Sequence, residues 1–176
     1  MLSRDLYQAS AYCDKTEYTG PTLADKDDEW LGKGYYFWDN NIDDAHWWGN
    51  IHYSGSYIIT KSAYDYHSTE YLDLVSLREH KEYIQKACSY LEKRAKKLGR
   101  EEKITIGKVI EILKKSDRNF KFKAIRACPV PIKSKRISFD TDGQCLMFPN
   151  AKYQICVIDK SFLIEEPILH FSKVLT

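Results

Sequence analysis

Gly32-Lys33-Gly34-Tyr35-Tyr36-Phe37-Trp38-Asp39, continued after a short link by Asp44-Ala45-His46-Trp47-Trp48-Gly49, is the stretch on which the reading of the chain turns. Two glycines bracket Lys33, so the backbone there is free to take a positive φ or to approach a neighbour closely. The four aromatic residues that follow suit a half-buried pleated strand. Asn40, Asn41, Asp43 and Asp44 bring turn and helix-cap chemistry, with Asp43 read as a cap. Ala45, His46, Trp47 and Trp48 then open a helix. Rings delivered from a strand and from the next helix would close on a planar, cationic heterocycle from two sides. The same residues also read more plainly, as a glycine turn ahead of an aromatic core strand, because a short glycine pattern alone is weak evidence.

A chain of 176 residues, 43% hydrophobic and 30% charged, is expected to form one globular domain spanning 1–176. No apolar run approaches the ~18 residues of a membrane span, and the opening Met1-Leu2-Ser3-Arg4-Asp5 lacks signal-peptide character. No membrane contact and a cytoplasmic location are therefore expected. Cys13, Cys88, Cys128, Cys145 and Cys156 lie far apart with no CxxC pair, which fits reduced thiols better than a disulfide frame or a zinc site. The histidines show no metal spacing, and no metal is assigned. Thirteen tyrosines and four tryptophans are many for this length, and their concentration over residues 30–57 predicts a pocket there.

The net charge of +2 conceals a strong polarity. Residues 1–80 carry 6 Lys/Arg against 14 Asp/Glu, residues 81–136 carry 18 against 6, and residues 137–176 carry 3 against 5. A basic block thus sits inside an acidic molecule. Such a block attracts phosphate backbones, and its Tyr83, Tyr90, Phe120 and Phe122 offer rings for unpaired bases. An acidic partner protein fits the same charge, and helices commonly place lysines in water for solubility alone.

In chain order, Asp5-Leu6-Tyr7-Gln8-Ala9-Ser10 reads as a strand, and residues 12–30 as polar, with Asp25, Asp27, Asp28 and Glu29 a solvated acidic run. Ser56-Tyr57-Ile58-Ile59-Thr60 and Glu70-Tyr71-Leu72-Asp73-Leu74-Val75 read as further strands. Ser76-Leu77-Arg78-Glu79 carries the capping-box pattern of a helix start. The helix that follows buries Leu77, Ile84, Cys88, Leu91 and Leu98 and ends at Gly99. A shorter helix over 105–115 turns Val109, Ile110 and Leu113 inward, and the pair forms a basic helical insert over 77–128. Past Pro129 and Pro131, strands are expected around 136–139 and 144–148, with turns at 140–143 and 149–150. Tyr153-Gln154-Ile155-Cys156-Val157-Ile158-Asp159 reads as a central strand. Runs of strands with the helices grouped in the middle predict an α+β fold.

Three of these segments resemble one family. The Gly32 to Asp39 strand, followed by Asp44-Ala45-His46-Trp47, is similar to the second motif of the poly(ADP-ribose) polymerase and diphtheria-toxin-like ADP-ribosyltransferases, where a GKGxYF strand leads to an alanine and a nicotinamide-stacking aromatic. Leu6-Tyr7-Gln8-Ala9-Ser10 stands where that family ends its first strand in histidine-glycine-serine or threonine. Tyr153 to Asp159 resembles its final motif, in which a glutamate opens an apolar strand.

The resemblance implies a split β-sheet core of ADP-ribosyltransferase type, carrying the basic two-helix insert, with NAD as the substrate. It implies that Tyr7, Gln8, Ala9, Ser10, Gly34, Tyr36, Asp44 and Trp47 bind the dinucleotide. Tyr36 and Trp47 would sandwich the nicotinamide, with Trp48 in the core. Ala9 would meet the carboxamide through its backbone, which requires a negative φ. Asp44 replaces a serine and would accept from the amide NH₂. Gln8 replaces the histidine on the adenosine ribose, and Ser10 matches the hydroxyl beside it. Gln154 takes the place of the catalytic glutamate, so Gln154, Tyr36 and Gln8 form the implied catalytic set. A glutamine orients the ribose 2′-hydroxyl but brings no charge to an oxocarbenium-like state, which implies transfer of a single ADP-ribose or none. His46 is expected to be exposed.

The resulting expectation is an NAD-dependent mono-ADP-ribosyltransferase of the bacterial toxin or phage-defence kind. Nucleic acid (RNA or DNA) or else protein is its acceptor, and an antitoxin is a possible partner. Two alternatives from other classes stay open: a non-catalytic module that binds NAD or ADP-ribose, and a nucleic-acid-binding protein without enzymatic activity.

Overall fold

A computed structural model describes residues 2–101, 103–129 and 151–175, with the backbone alone at 137–138 and 146–147. Strands β1 (Ser3–Ala11), β2 (Tyr35–Asp39), β3 (Tyr57–Asp65), β4 (Tyr71–Asp73) and β5 (Ala124–Ala127) precede two short strands, β6 (Ile137–Ser138) and β7 (Leu146–Met147), which pair only with each other. Strands β8 (Gln154–Val157) and β9 (Ile168–Lys173) follow. Helix α1 (Ile42–His52) lies between β2 and β3, and helices α2 (Arg78–Lys97) and α3 (Ile106–Ser116) lie between β4 and β5. The strands other than β6 and β7 form one seven-stranded sheet in the order β4-β5-β8-β2-β1-β3-β9. β4 pairs with β5 in parallel and the other neighbours are antiparallel, so the fold is mixed α+β as expected.

The aromatic strand works as its alternation suggests. Phe37 is fully buried with Leu6, Tyr64 and Ile155 on one face of the sheet. Tyr36 and Trp38 turn to the other face, where Ile84 of α2 and Ile110 of α3 cover Leu31, Leu72 and Cys156, and α1 covers Ala9, Trp38 and Ile59. The glycines ahead of it serve the chain itself. Gly32 takes φ +82°, and Gly34 is small because β8 passes close by. A Cβ on Gly34 would stand 2.6 Å from Cys156 Sγ and 2.7 Å from the Val157 carbonyl oxygen. Gly34→Ala is accordingly expected to destabilise by ~1–3 kcal/mol through overpacking, read as a lower urea midpoint at unchanged slope.

β1 and β3 pair from Ser3↔Asp65 to Ala11↔Tyr57, whereas β1 and β2 share only Leu6↔Asp39 and Tyr7↔Trp38. The sheet is therefore continuous in pairing, not divided in two, but it forks past Tyr7. At that fork Gln8 Nε2 donates to the Tyr36 carbonyl oxygen at 3.1 Å, a side chain standing in for the missing rungs.

The helical segment differs from an insert. The parallel β4–β5 pair needs a crossover, and α2 and α3 are that crossover. Tyr83 on α2 donates to Asp117 Oδ2 beyond α3 at 2.7 Å, tying the two helices antiparallel. Residues 124–127, inside the expected insert, form a fully buried strand of the main sheet. The capping box is also absent: Leu77 is the N-cap with no side-chain cap bond, and Ser76 Oγ instead accepts from Arg126 Nη1 at 3.2 Å. Only Ile84 of α2 is buried, while Leu77 and Leu98 are exposed. At ~1.5 Å per residue the helix is ~30 Å long, so its C-terminal half overhangs the sheet as a basic arm with Tyr90, Lys93, Arg94, Lys96 and Lys97 exposed. The strands expected around 136–139 and 144–148 contain β6 and β7, whereas the expected turns at 140–143 and 149–150, and Cys145, lie outside the described residues; Cys13, Cys88, Cys128 and Cys156 are free thiols.

Candidate functional site

The fork between β1 and β2 opens into a cleft of about 1330 Å³. This exceeds the ~300–1,000 Å³ usual for small-ligand sites and is roomy enough for a dinucleotide. Its walls come from several elements: Gln8 and Ala9 of β1, Tyr36 and Trp38 of β2, Trp47 and Trp48 of α1, and Gln154 at the start of β8. Residues 22–26, Glu29 and Trp30 from the β1–β2 connection close one side, and Ala151, Lys152 and Tyr153 close another. All four tryptophans of the chain line this space, as the aromatic concentration over 30–57 anticipates.

Gln8, Ala9, Tyr36, Trp47 and Gln154 are thus brought to one cleft from segments far apart in sequence. Tyr7, Ser10, Gly34 and Asp44 are not among its lining residues. Tyr7 turns toward β3 and β9, donating to Asp5 Oδ2 at 2.8 Å and lying 6.0 Å from the His170 ring. Asp44 is buried and forms an ion pair with Lys152, and it accepts from Asn41 Nδ2 at 3.1 Å, so it is not free to accept from a ligand amide. Ser10 is buried too: its hydroxyl donates to Gln8 Oε1 and accepts from Thr22 Oγ1.

Gln8 has a different duty from the one the resemblance implies. Its Oε1 accepts from Thr22 N at 2.6 Å and from Ser10, and its Nε2 donates to the Thr22 carbonyl at 2.9 Å and to that of Tyr36. Both ends of this buried amide are engaged within the chain, so Gln8 clamps the connection to the fork and has little left for a ribose hydroxyl. Ala9 lies in regular strand, and Asn40 and Ser54 are the non-glycine residues with positive φ among those described, so its backbone conformation meets the stated requirement.

The second-motif aromatics are tethered. Tyr36 donates to the Gly32 carbonyl at 2.7 Å and accepts from Leu31 N at 2.9 Å, which fixes the ring on the glycine turn, and burial pushes its phenol well above the usual range. Trp47 is 41% exposed, meets Trp38 edge-on at 6.0 Å, and carries Lys152 Nζ over its ring at 4.5 Å. Trp48, expected in the core, is half-buried against His52, with centroids 3.5 Å apart and planes 23° apart, and it too reaches the cleft. His46 is half-buried, not exposed, with Nδ1 2.8 Å from the Tyr57 hydroxyl, and it does not line the cleft. Asn41, not Asp43, is the helix cap.

Gln154 is 9% exposed and opens β8 between Trp38 and Ala127. Trp30 Nε1 donates to its Oε1 at 3.0 Å. That bond fixes which way the amide points and leaves Nε2 as the donor for a ligand. Sequence reasoning placed Trp30 in the aromatic concentration but missed this partner, since nothing in its spacing links it to a residue over a hundred positions away.

Behind the cleft lies a buried ionic cluster that sequence reasoning also missed. Arg126 of β5 donates through Nε to Asp39 Oδ2 at 2.7 Å, and its Nη1 stands 3.5 Å from Asp73 Oδ2. Asp39 also accepts from the Tyr64 hydroxyl at 2.9 Å. Despite burial, the two carboxylates hold the Arg126 guanidinium above its usual range. The Tyr153 ring, which lines the cleft, lies 4.9 Å from that guanidinium. Cys156, two residues beyond Gln154 and opposite Tyr36, is buried and its thiol is pushed up to about 12 by desolvation, so it is not a nucleophile here. Among the described residues no group of three or more His, Cys, Asp or Glu is arranged to hold a metal, and no helix is long and apolar enough to cross a membrane.

Comparisons with family models, with curated proteins and with solved structures gave no match for the chain.

Proposed function

We propose that the chain is an NAD-dependent mono-ADP-ribosyltransferase that releases nicotinamide and transfers one ADP-ribose, with nucleic acid as the favoured acceptor and protein the second. The observation that carries this reading is the convergence of Tyr36, Trp47 and Gln154 on one cleft whose walls also hold Gln8 and Ala9. The motif strands β1, β2 and β8 are immediate neighbours in the sheet, which supports the resemblance as a spatial one. Aromatic walls suit two flat heterocycles, and the oriented amide of Gln154 suits a ribose hydroxyl. Nicotinamide leaves a cationic donor as a neutral molecule, so positioning supplies much of the rate. A role as a toxin restrained by an antitoxin belongs to the same proposal.

The test is incubation of the full chain with labelled NAD⁺ and RNA, DNA or protein. Transfer of label with release of nicotinamide supports the reading; absence of both sinks it. A second reading, a binding module without turnover, is favoured by the internal engagement of Gln8 and the missing carboxylate at 154. It predicts tryptophan quenching by NAD⁺ with no nicotinamide released.

The overhanging half of α2 supports the acceptor class. Replacing Lys93, Arg94, Lys96 and Lys97 by glutamate is expected to abolish transfer to RNA or DNA while nicotinamide release into water persists. The slope of log affinity against log salt for single strands should fall by ~0.7 for each phosphate that the arm no longer neutralises. Unchanged transfer would exclude the arm as the acceptor surface.

A further inference from the structure

The proposed transition state gains positive charge on the ribose, yet the polar groups considered so far bring no free negative charge to it. Gln154 presents an amide, Gln8 is engaged by Thr22, Ser10 and Tyr36, and Asp44 is paired with Lys152. Two other carboxylates line the cleft, Asp25 and Glu29. Asp25 is exposed, whereas Glu29 is half-buried beside Trp30.

The Glu29 side chain has no hydrogen bond or ion pair with any described residue, although nearby acids are taken: Asp27 by Lys33, and Glu111 by Lys114 and by Lys33 N. Its backbone, by contrast, is held firmly. The Glu29 carbonyl accepts from Gly32 N at 3.0 Å, and α3 crosses so closely that a Cβ on Gly107 would stand 2.0 Å from that oxygen. The next residue along the chain is Trp30, whose indole holds Gln154. Glu29, Trp30 and Gln154 thus line one cleft, with Gln154 held by the indole of the residue that follows Glu29. The Glu29 charge adds a minor contribution to the effect of burial on the Tyr36 phenol.

We infer that Glu29 is a catalytic residue of the transfer, supplying from the β1–β2 connection the carboxylate that β8 lacks at Gln154. The inference rests on the reading of the cleft as an NAD site. As the bond between ribose C1′ and the nicotinamide nitrogen breaks, its electron pair leaves on that nitrogen, which becomes neutral. C1′ takes an electron pair from an acceptor hydroxyl or amine, and the proton the acceptor loses passes to the Glu29 carboxylate and then to water. Charge and atoms balance without a further reactant.

The experiment compares the full-length wild type with E29Q, E29D and E29A, reading NAD⁺ affinity by tryptophan quenching and turnover by nicotinamide release. E29Q is expected to bind NAD⁺ within about twofold of wild type while turnover falls by ~10²–10⁴-fold, a kcat effect without a KM effect. E29D keeps the charge one methylene short and should fall between the two. Added formate should restore part of the E29A rate, which a loss of packing would not allow. E29Q and E29A turning over within about fivefold of wild type, or losing affinity as much as rate, would overturn the assignment while leaving the NAD site standing. A wild type that releases no nicotinamide sinks the transferase reading, and the Glu29 role with it. Because the side chain is unpaired and its backbone contacts are untouched, all three variants should fold; E29D and formate decide the matter if one does not.

Discussion

Replacing Arg126 with methionine is expected to lower the unfolding free energy by ~3–5 kcal/mol, the cost of stranding buried charge. The Arg126 side chain is 6% exposed, and those of Asp39 and Asp73 are 1% and 4% exposed. Removing the guanidinium leaves both carboxylates without their central partner in a region that water does not reach. Each keeps some support. Asp39 retains the Tyr64 hydroxyl and, at 3.6 Å, Arg4, while Asp73 Oδ1 accepts from Val75 N and Ser76 N. These contacts place the effect toward the lower end of that range. The damage should reach the cleft as well. Arg126 joins β5 to the end of β2 across β8, so it sets the frame in which Gln154 pairs with Trp38 and Ala127. Urea denaturation of R126M, D39N and the double variant gives the comparison. The double variant should be less destabilised than the sum of the two single changes, because the second change removes a charge that the first has stranded. Additive losses would mean that the cluster is not an energetic unit.

That cluster also marks where the sequence stops being legible. The aromatic strand, β1, β8 and the extents of α2 and α3 announce themselves through alternation and periodicity, which are local signals. β5 does not: an arginine inside four buried residues looks unsuited to a central strand until Asp39 and Asp73 are known to face it. The same guanidinium takes the Ser76 hydroxyl away from the helix start, which is why a sound capping pattern produces no cap. β9 is a short edge strand of mixed exposure, with little to separate it from a polar tail. The parallel β4–β5 pairing follows from none of these local signals, and it turns an apparent insert into a crossover.

The candidate site divides in the same way. Tyr36, Trp47 and Gln154, which the family resemblance singles out, do line one cleft. Residues whose role depends on a distant partner are misread, as with Gln8 and Asp44, or overlooked, as with Trp30 and Lys152. Glu29 reads as part of a solvated acidic run because its burial depends on the approach of α3 at Gly107.

Trp47→Ala is expected to weaken NAD⁺ binding by ~1–3 kcal/mol, the usual loss when an aromatic stacking partner of a base is removed. That is about one to two powers of ten in Kd. The change is mild for the fold, since Trp47 is 41% exposed and lies at the middle of α1, where its truncation leaves the Asn41 cap intact. Lys152 loses the ring beneath it but keeps Asp44. That ion pair also answers an objection to stacking a cationic nicotinamide here. An ammonium over the same indole would repel it, but the Asp44 carboxylate cancels the charge, so the incoming ring meets a neutral pair. Trp48→Ala provides the contrast: its stack on His52 makes it a support of α1, so its loss should show first in thermal stability. The three remaining tryptophans report binding in either variant, since all of them line the cleft. Affinity unchanged within about twofold in Trp47→Ala would remove NAD⁺ from this ring. If RNA binding survived alongside it with a steep salt dependence, the protein would be a binder of nucleic acid through its basic arm alone.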